Sequence, residues 1–352
     1  MKIFLDGIMH LGDILMTASV FPVLRQHFPG AEIHYLVQAP LAPAAALLEG
    51  VDRVIPYAYK SGGGSLDVYR FGRKLAREGY SLGISLDPRE WVTLMKWFAR
   101  IPVRISMERA LGWELGWERY FYTHDLKFRD PWDYREHRVG ESFQRLLRDY
   151  LGDPDTAFVP PAIRPSTAAE KEAAAALLAG IRAYRRKIAF CVETTTRTKD
   201  WPTAKFAATA DWLAETYGAA IVMTGTADHE GRIAEIIRQM KHPEAVLDAA
   251  GRTSLPVLAA LLRQMNLLLT LDTGTAHIAA VAGCPVVTIF THNSPEIYRA
   301  AAPVSRAVSG HVPCSGKHVC MGPSRCVKRD CVDCISTDMV EKEISFVLDR
   351  SK

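Results

Sequence analysis

The stretch at residues 267–290 constrains the fold of this chain more than any other part of the sequence. It reads LLLTLDTGTAHIAAVAGCPVVTIF. The apolar run before Asp272 has no polar alternation, which is typical of a parallel strand that is covered on both faces. The sequence therefore predicts a buried strand, a polar turn, a short Ala-rich helix and a second buried strand, which is the repeating unit of an α/β fold.

The polar turn in this stretch is a candidate anion site. Asp272 or Thr273 can cap the helix that follows, and Gly274 lets its backbone come close to a ligand. Unpaired amides at a helix N-terminus, together with the positive end of its dipole, favour a phosphate. His277 lies about one turn into the helix, on the face of Thr273 and Gly274, so it can point at the same anion. A capped helix with a packed histidine is the alternative, and the turn alone does not decide between them.

Length and composition bound the class of protein. A chain of 352 residues is long for one core and favours two domains. A net charge of +4 is too small to indicate a nucleic-acid partner, although it suits a negatively charged substrate or an anionic membrane surface. Asp6 and Gly7 interrupt the first residues of the chain before the apolar core of a signal peptide can form. No run of residues is apolar enough to span a bilayer. We therefore expect a cytoplasmic protein that at most touches the membrane from one side.

Strands and helices alternate along both halves of the chain, which predicts two parallel sheets with right-handed crossovers. In the first half, a strand at 3–6 precedes a helix from Asp13 to His27 that Pro22 should kink or break. This alternation of strands and helices is lost between residues 113 and 165, where aromatic residues and prolines predict an irregular region that ends in a linker. We expect domains at 1–160 and 166–335, a ligand cleft at the carboxyl ends of their strands, and a last helix, within 336–352, that packs back toward the first domain.

Three further strand-to-helix turns carry candidate functional residues. Asp13 either caps its helix or takes a proton from an acceptor hydroxyl. The segment TTTRTKDWP at 194–202 gathers hydroxyls, an arginine and Lys199 in a way that suits a diphosphate, unless it is a solvated loop with Pro202 opening a helix. Glu230 can hold ribose hydroxyls or can be a plain helix-start acid.

A group of cysteines near the end of the chain is a candidate metal site. Such a density of thiols in a cytosolic chain suggests a tetrahedral zinc or iron centre. The spacings match no common zinc finger and five thiols exceed the usual four, so reduced cysteines that pack a loop are an equal alternative. The cysteines concerned are Cys314, Cys320, Cys326, Cys331 and Cys334. Cys191 and Cys284, by contrast, are predicted to lie in the core.

Taken together, these motifs resemble the ADP-heptose:lipopolysaccharide heptosyltransferases of glycosyltransferase family 9. The resemblance covers most of the chain, and its most specific part is the Asp-Thr-Gly-x-x-His element from Asp272 to His277. The other motifs that carry it are LGD at 11–13, FPG at 28–30, KDWP at 199–202, GRTSL at 251–255 and GCP at 283–285.

This resemblance implies a GT-B fold, in which two Rossmann-like domains face a cleft and bind acceptor and nucleotide-sugar respectively. It also implies an inverting, metal-independent transfer of heptose from ADP-heptose to a hydroxyl of lipopolysaccharide or another surface glycan, with no cofactor for catalysis. Asp13 would be the general base. The residues implied in donor binding are Thr195, Thr196, Lys199, Glu230, Asp272, Thr273, Gly274, Thr275 and His277.

The sequence leaves the acceptor and two rival functions open. The helix that carries Arg70, Arg73, Lys74 and Arg77 either meets an anionic lipid-linked glycan or presents a solvated face. A protein hydroxyl is an alternative acceptor, because some relatives with cysteine-rich tails modify proteins. The rivals are a metal-centred binding or assembly protein on a degenerate transferase scaffold and a nucleotide-sugar epimerase of similar architecture.

Overall fold

The computed structural model describes residues 1–7, 10–58, 64–87, 89–107, 116–127, 137–154, 156–194, 199–291, 293–310, 312 and 329–350. The chain divides into two compact units, Met1–Arg164 and Pro165–Lys352. The division lies at the end of the proline-containing stretch in which the sequence places a linker. No helix in the described ranges is both long and apolar enough to cross a membrane.

The first unit is built on a parallel sheet whose strand order is β3-β2-β1-β4-β5-β6. Its strands are β1 (Lys2–Asp6), β2 (Glu32–Gln38), β3 (Arg53–Tyr57), β4 (Leu82–Ser85), β5 (Val103–Met107) and β6 (His124–Leu126). All five pairings are parallel. The chain builds outward from β1 to one edge and then from β4 to the other, so the order reverses between β1 and β4. Ligands of doubly wound sheets bind beyond the strand ends at such a switch point.

Helices cover both faces of this sheet. They are α1 (Leu11–Thr17), α2 (Val20–His27), α3 (Ala42–Ala45), α4 (Ser65–Leu75), α5 (Glu90–Phe98) and α6 (Val139–Leu151), with a 3-10 helix at Trp117–Phe121. Apolar side chains of α4 and α5 pack with Phe4 and Leu36 in one core cluster. Tyr35, the neighbour of Leu36 on β2, points the other way and meets the ring of Phe21 on α2. Since α6 packs on α1 and α2, it lies on that second face.

The second unit repeats this design with the strand order β12-β11-β10-β7-β8-β9. Its strands are β7 (Arg186–Cys191), β8 (Ala219–Thr224), β9 (Val246–Asp248), β10 (Leu267–Leu271), β11 (Val286–Phe290) and β12 (Ser305–Ser309), all paired in parallel. Its helices are α7 (Ala168–Leu177), α8 (Thr203–Tyr217), α9 (Glu230–Gln239), α10 (Leu255–Leu262), α11 (Gly274–Val281), α12 (Pro295–Tyr298), α13 (Asp330–Asp333) and α14 (Thr337–Leu348). The switch point here lies between β7 and β10. The predicted α/β class with two Rossmann-like parallel sheets is confirmed.

Two local predictions in the first unit need correction. The helix expected from Asp13 to His27 is divided into α1 and α2, and the break lies at Ala18–Ser19 rather than at Pro22. A proline ring clashes with the carbonyl four residues earlier, so Pro22 is tolerated in the first turn of α2 and displaces the break toward the N-terminus. The region predicted as irregular also contains the long helix α6, whose residues Val139, Phe143 and Leu147 are buried at helical spacing.

The last helix, α14, contributes to the core of the second unit. Val340, Ile344 and Val347 are buried in the cluster that contains residues of β7, β10 and β11. The helix also contacts α8 and β12. The sequence predicted that this helix packs toward the first domain, but its apolar face is used within the second.

Candidate active site

The carboxyl ends of β7 and β10 carry an ion pair at the switch point of the second sheet. Lys199, in the segment after β7, places its Nζ 3.5 Å from Oδ2 of Asp272, which follows β10. The same carboxylate oxygen accepts a hydrogen bond from Nδ2 of Asn293, beyond β11. Three neighbouring strand ends therefore meet at one carboxylate. Sequence reasoning identified Lys199 and Asp272 but missed Asn293.

Lys199 is held in place by the residues that follow it in the chain. Trp201 is fully buried, and its Nε1 donates a hydrogen bond to the carbonyl of Ile335 at 3.0 Å. Asp200 accepts a hydrogen bond of 3.0 Å from Thr194 Oγ1 and lies 3.6 Å from the guanidinium of Arg232. The buried indole and the paired carboxylate fix the backbone on which Lys199 sits. The KDWP motif is therefore an anchored support for one lysine, not a solvated loop.

The N-terminus of α11 adjoins this ion pair. Thr273 is the N-cap residue by its backbone, but its side chain accepts no hydrogen bond from the helix. Its Oγ1 instead lies 3.3 Å from Thr270 Oγ1 and 4.0 Å from Sγ of the buried Cys191. Of the two caps that the sequence allowed, Asp272 or Thr273, the structure therefore shows no side-chain cap from Thr273. The amides of Gly274 and Thr275 begin the helix without that cap, which is the arrangement that favours an anion.

His277 lies in the second turn of α11 and is buried, with 6% of its surface exposed. The helix ends where Gly283 takes a φ of 83°, a left-handed conformation that glycine adopts without strain. Cys284 follows in the core, where burial raises the pKa of its thiol to about 12. The core positions predicted for Cys191 and Cys284 are both confirmed. The GCP motif thus ends α11 and directs the chain into β11.

A second polar cluster lies at the ends of β7 and β8, and the sequence did not predict it. The carboxylate of Glu193 accepts a hydrogen bond of 3.1 Å from the backbone amide of Thr226 and contacts Nδ1 of His229. Burial raises the pKa of Glu193, an effect that the neighbouring His229 opposes. Glu230, the predicted ribose ligand, is the next residue and lies exposed at the start of α9. The cluster therefore fixes the loop that presents Glu230.

The conformation and contacts of Gly251 explain why the GRTSL motif begins with a glycine. Its φ of 66° turns the chain after β9, and its amide donates a hydrogen bond of 2.9 Å to the carbonyl of Gly225. A Cβ at this position would lie 3.0 Å from Cβ of Ala227, so a glycine is required for the two loops to approach. Ser254 then caps α10 by accepting a hydrogen bond from the amide of Val257.

In the first unit, Asp13 lies in the first turn of α1, beyond the end of β1. Its Oδ2 accepts a hydrogen bond of 3.3 Å from the backbone amide of His10, so the carboxylate does serve as a capping group. The side chain is half-buried and therefore accessible from one side. At the start of the same turn, a Cβ on Gly7 would collide with the hydroxyl of Tyr35, which explains the glycine after β1.

A buried charged network joins the ends of β1 and β4, at the switch point of the first sheet. The fully buried carboxylate of Asp6 lies 2.5 Å from Nζ of Lys96 and accepts a hydrogen bond of 2.9 Å from Ser85 Oγ. Tyr122 completes the network through its hydroxyl, 2.9 Å from Ser85 and 2.8 Å from Thr93. Burial raises the pKa of Asp6 to about 6, although Lys96 pulls it down. Sequence reasoning missed this network.

Five of the predicted site residues lie outside the described ranges, and two of the predicted metal-site cysteines lie within them. Thr195 and Thr196 of the donor site, and Cys314, Cys320 and Cys326 of the metal site, lie outside the described residues. Cys331 and Cys334 are described, on and just after α13, and Cys334 packs directly over Gly310. Among the residues whose placement is given, no group of three or more histidines, cysteines or acids could hold a metal ion. The metal site therefore stays a prediction.

Comparison with known proteins shows that this chain is similar in sequence to heptosyltransferases. Residues 68–325 match the profile of "Glycosyltransferase family 9 (heptosyltransferase)". The chain is 28% identical to lipooligosaccharide heptosyltransferase 2 of Haemophilus influenzae. The alignment spans 314 residues and covers 84% of this chain and 85% of that relative.

Solved structures show the same fold. A glycosyltransferase family 9 protein from Veillonella parvula matches with a TM-score of 0.83 and 23% identity, over 99% of this chain and 97% of that one. The ADP-heptose lipopolysaccharide heptosyltransferase II of E. coli matches with a TM-score of 0.81 and 20% identity, over 100% of this chain and 99% of that one. These likenesses confirm the predicted GT-B fold.

Proposed function

This chain belongs to glycosyltransferase family 9, the heptosyltransferases, and we propose that it transfers heptose from ADP-heptose to a hydroxyl of lipopolysaccharide or another surface glycan. The proposal extends to an inverting reaction that needs no metal ion. The observation that carries it is the ion pair of Lys199 and Asp272 beside the uncapped start of α11, at the switch point of the second sheet.

The donor proposal follows from the charges at this switch point. A nucleoside diphosphate needs positive charge and hydrogen-bond donors at its bridging and terminal oxygens. Lys199 supplies a charge that is only partly exposed, and the amides of Gly274 and Thr275 supply donors at the positive end of a helix dipole. Glu230, at the start of α9, accepts hydrogen bonds from the ribose hydroxyls. Thr195, Thr196 and His277 complete this proposed donor set.

The proposed reaction is a single displacement. Asp13 accepts the proton of the acceptor hydroxyl, and the oxygen attacks the anomeric carbon of the heptose. The bond from that carbon to the diphosphate oxygen breaks, and ADP leaves with the bonding electrons. Attack from the side opposite the leaving group inverts the anomeric configuration. Charge that develops on the diphosphate is stabilised by Lys199 and by the fixed amides of α11, which take the part that a divalent cation plays elsewhere.

The acceptor is inferred from the relatives. The similar proteins of Haemophilus influenzae and E. coli are named for lipooligosaccharide or lipopolysaccharide heptosyl transfer. Because the chain covers most of their length, we extend this acceptor class to it, together with peripheral contact with the membrane that carries a lipid-linked acceptor. A protein hydroxyl is the alternative acceptor.

A donor and acceptor screen tests the proposal. Purified protein is incubated with ADP-heptose, UDP-N-acetylglucosamine or GDP-mannose, each with truncated lipopolysaccharide or with protein acceptors, and the anomeric configuration of the product is read by NMR. We expect transfer from ADP-heptose to the glycan, with inversion and with full rate in the presence of EDTA. Asp13→Ala should abolish transfer but retain ADP binding. Transfer that persists in this variant would remove Asp13 from the mechanism.

The same screen separates the rival functions. An epimerase would change the nucleotide-sugar with no acceptor present. A metal-centred binding protein would contain zinc or iron by elemental analysis and would turn over no nucleotide-sugar. Metal found together with full transferase activity would instead support a structural centre formed by the cysteines at 314–334.

A further inference from the structure

Exposed apolar side chains are concentrated in one part of the first unit. Within the described residues, nine large hydrophobic side chains are exposed, and five of them lie on α4, on α5 or in the 3-10 helix Trp117–Phe121. They are Leu66 (56% exposed), Tyr69 (45%), Trp97 (48%), Trp117 (44%) and Tyr120 (83%). Single exposed apolar residues need no explanation, but a cluster of this kind marks an interaction surface.

Ring contacts join three of these side chains, together with Phe98 and Phe121, into one continuous row. We call this row the aromatic ridge, and its order is Tyr69, Phe98, Trp97, Phe121 and Trp117. Successive ring centroids lie 5.1, 5.1, 5.6 and 5.6 Å apart. The ridge rests on a rigid base, because α4 and α5 pack so closely at Gly72 that a Cβ there would lie 2.6 Å from Cβ of Phe98. Its geometry is therefore set by helix packing, not by a mobile loop.

Basic residues flank the ridge. Arg70 and Arg73 share the exposed face of α4 with Leu66 and Tyr69, and Arg100 lies two residues after the end of α5. Neither Arg70 nor Arg73 forms an ion pair with another residue that the structure describes. The nearby exposed acids, Asp67 and Glu90, lie at the first turns of α4 and α5, where they complement the helix dipoles. The surface thus combines half-exposed indole and phenol rings with uncompensated guanidinium groups.

We propose that the aromatic ridge and its flanking arginines dock the protein on an anionic phospholipid bilayer. Tryptophan and tyrosine prefer the interfacial region of a membrane, where the ring is apolar and its N–H or O–H stays wet. Arginines beside them are attracted to acidic headgroups. A solvated helix face needs no aromatic rings, and a partner protein of ordinary composition offers no excess of negative charge to the three arginines. The inference extends the proposed membrane contact and is independent of the chemistry of transfer.

Vesicle co-sedimentation of the full chain tests this proposal without donor or acceptor. We expect binding to phosphatidylcholine vesicles that contain phosphatidylglycerol, weak binding to pure phosphatidylcholine, and release at high salt as headgroup charges are screened. Arg70→Ser/Arg73→Ser should weaken binding about 25-fold, since each charge near the surface contributes about fivefold. Trp97→Ser should weaken it about tenfold, through loss of a half-buried ring at the interface.

Matched controls are available elsewhere in the chain. Arg238→Ser removes an exposed arginine from α9 of the second unit, and Tyr150→Ser removes an aromatic ring that is 37% exposed on α6, on the opposite face of the first sheet. Both should bind vesicles like the wild type. The double arginine variant changes only exposed side chains, so it tests the proposal even if Trp97→Ser is unstable.

Three results would overturn the proposal. The first is equal binding to neutral and anionic vesicles, and the second is binding that neither the arginine nor the tryptophan variant changes. The third is a wild type that binds no vesicle but dimerises through this face, as shown by a Trp97→Ser variant that stays monomeric in analytical ultracentrifugation. In each case transfer to a soluble acceptor can still be normal, so failure of docking is distinguishable from failure of the proposed function.

Discussion

The ammonium of Lys199 lies 3.5 Å from the carboxylate of Asp272, although 72 residues separate them in the sequence. The pair joins the loop after β7 to the turn after β10, where the strand order of the second sheet reverses. Asp272 is also held by Asn293, so the carboxylate is fixed whichever partner Lys199 takes. We expect a bound diphosphate to compete with Asp272 for Lys199 and to leave the bond to Asn293 in place.

Lys199→Met should reduce kcat/KM for the nucleotide-sugar by about 100- to 1,000-fold, because it removes a fixed positive charge from the developing anion. Steady-state kinetics with a saturating acceptor measure this. Lys241→Met is the matched control, since Lys241 is 76% exposed and pairs only loosely with Glu215 at 3.8 Å. A Lys199→Met enzyme with wild-type kcat/KM would show that the lysine does not contact the donor.

Asp13→Asn separates the two roles of this carboxylate. Asparagine keeps an oxygen that can accept the hydrogen bond from the amide of His10, so the unfolding free energy should change by less than about 1 kcal/mol. It cannot take a proton, so kcat should fall about 100- to 10,000-fold while the donor KM stays unchanged. Asp67→Asn, another acid in the first turn of a helix, should alter neither quantity. If Asp13 served only as a cap, the Asp13→Asn enzyme would keep the wild-type kcat.

Trp201→Phe should lower the free energy of unfolding by about 1 kcal/mol, because phenylalanine fills most of the buried site but donates no hydrogen bond to Ile335. Trp201→Ala should lower it by about 3–5 kcal/mol through the cavity that it leaves. Urea unfolding measures both. Trp212→Phe, at a half-buried position of α8, serves as the control and should change stability less than Trp201→Phe does.

Lys96→Met should destabilise the protein by about 3–5 kcal/mol at pH 7, since it leaves the carboxylate of Asp6 buried without a cation. Asp6→Asn/Lys96→Met should recover that loss and can exceed the wild type, because two desolvated charges are removed together. The double-mutant cycle gives the coupling energy of the pair. Additive effects of the single changes would contradict the charged contact.

The same pair predicts a pH dependence. Burial raises the pKa of Asp6 to about 6, against an ordinary value of 3.8 for the unfolded chain. The folded protein therefore holds this proton more tightly than the unfolded chain between these values. The contribution of Asp6 to stability should grow as the pH falls from about 6 toward 4, and it should decline as the pH rises through this window. The variant Asp6→Asn/Lys96→Met should lack this part of the pH profile.

Much of the fold could be predicted because its signals are local. The run LLLTL, the turn at Asp272 and the break at Gly283 each specify their own conformation, and the structure has the strand, helix and strand that they predict. Helix α6 also had a local signal, in the spacing of Val139, Phe143 and Leu147. Nearby prolines and aromatics concealed it.

The contacts of the candidate site could not be predicted in the same way. Glu193 and His229 lie on loops after different strands, and only the parallel pairing of β7 with β8 brings them together. The burial of Asp6 with Lys96 likewise depends on the packing of α5, which carries Lys96, against the sheet that contains Asp6. An acid directly after a buried strand, as at Glu193, was the only available signal. Sequence patterns give the positions of polar residues but not the partners that the tertiary fold supplies.

The burial of α14 in the second unit has a consequence for the order of events during synthesis. Residues 1–164 contain every strand of the first sheet, so this half can acquire its structure while later codons are still being read. The second half cannot cover β10 and β11 until Thr337–Leu348 has left the ribosome. Nascent chains that stall before that helix would expose sheet surface of the second unit to chaperones and proteases, although the first unit is already folded.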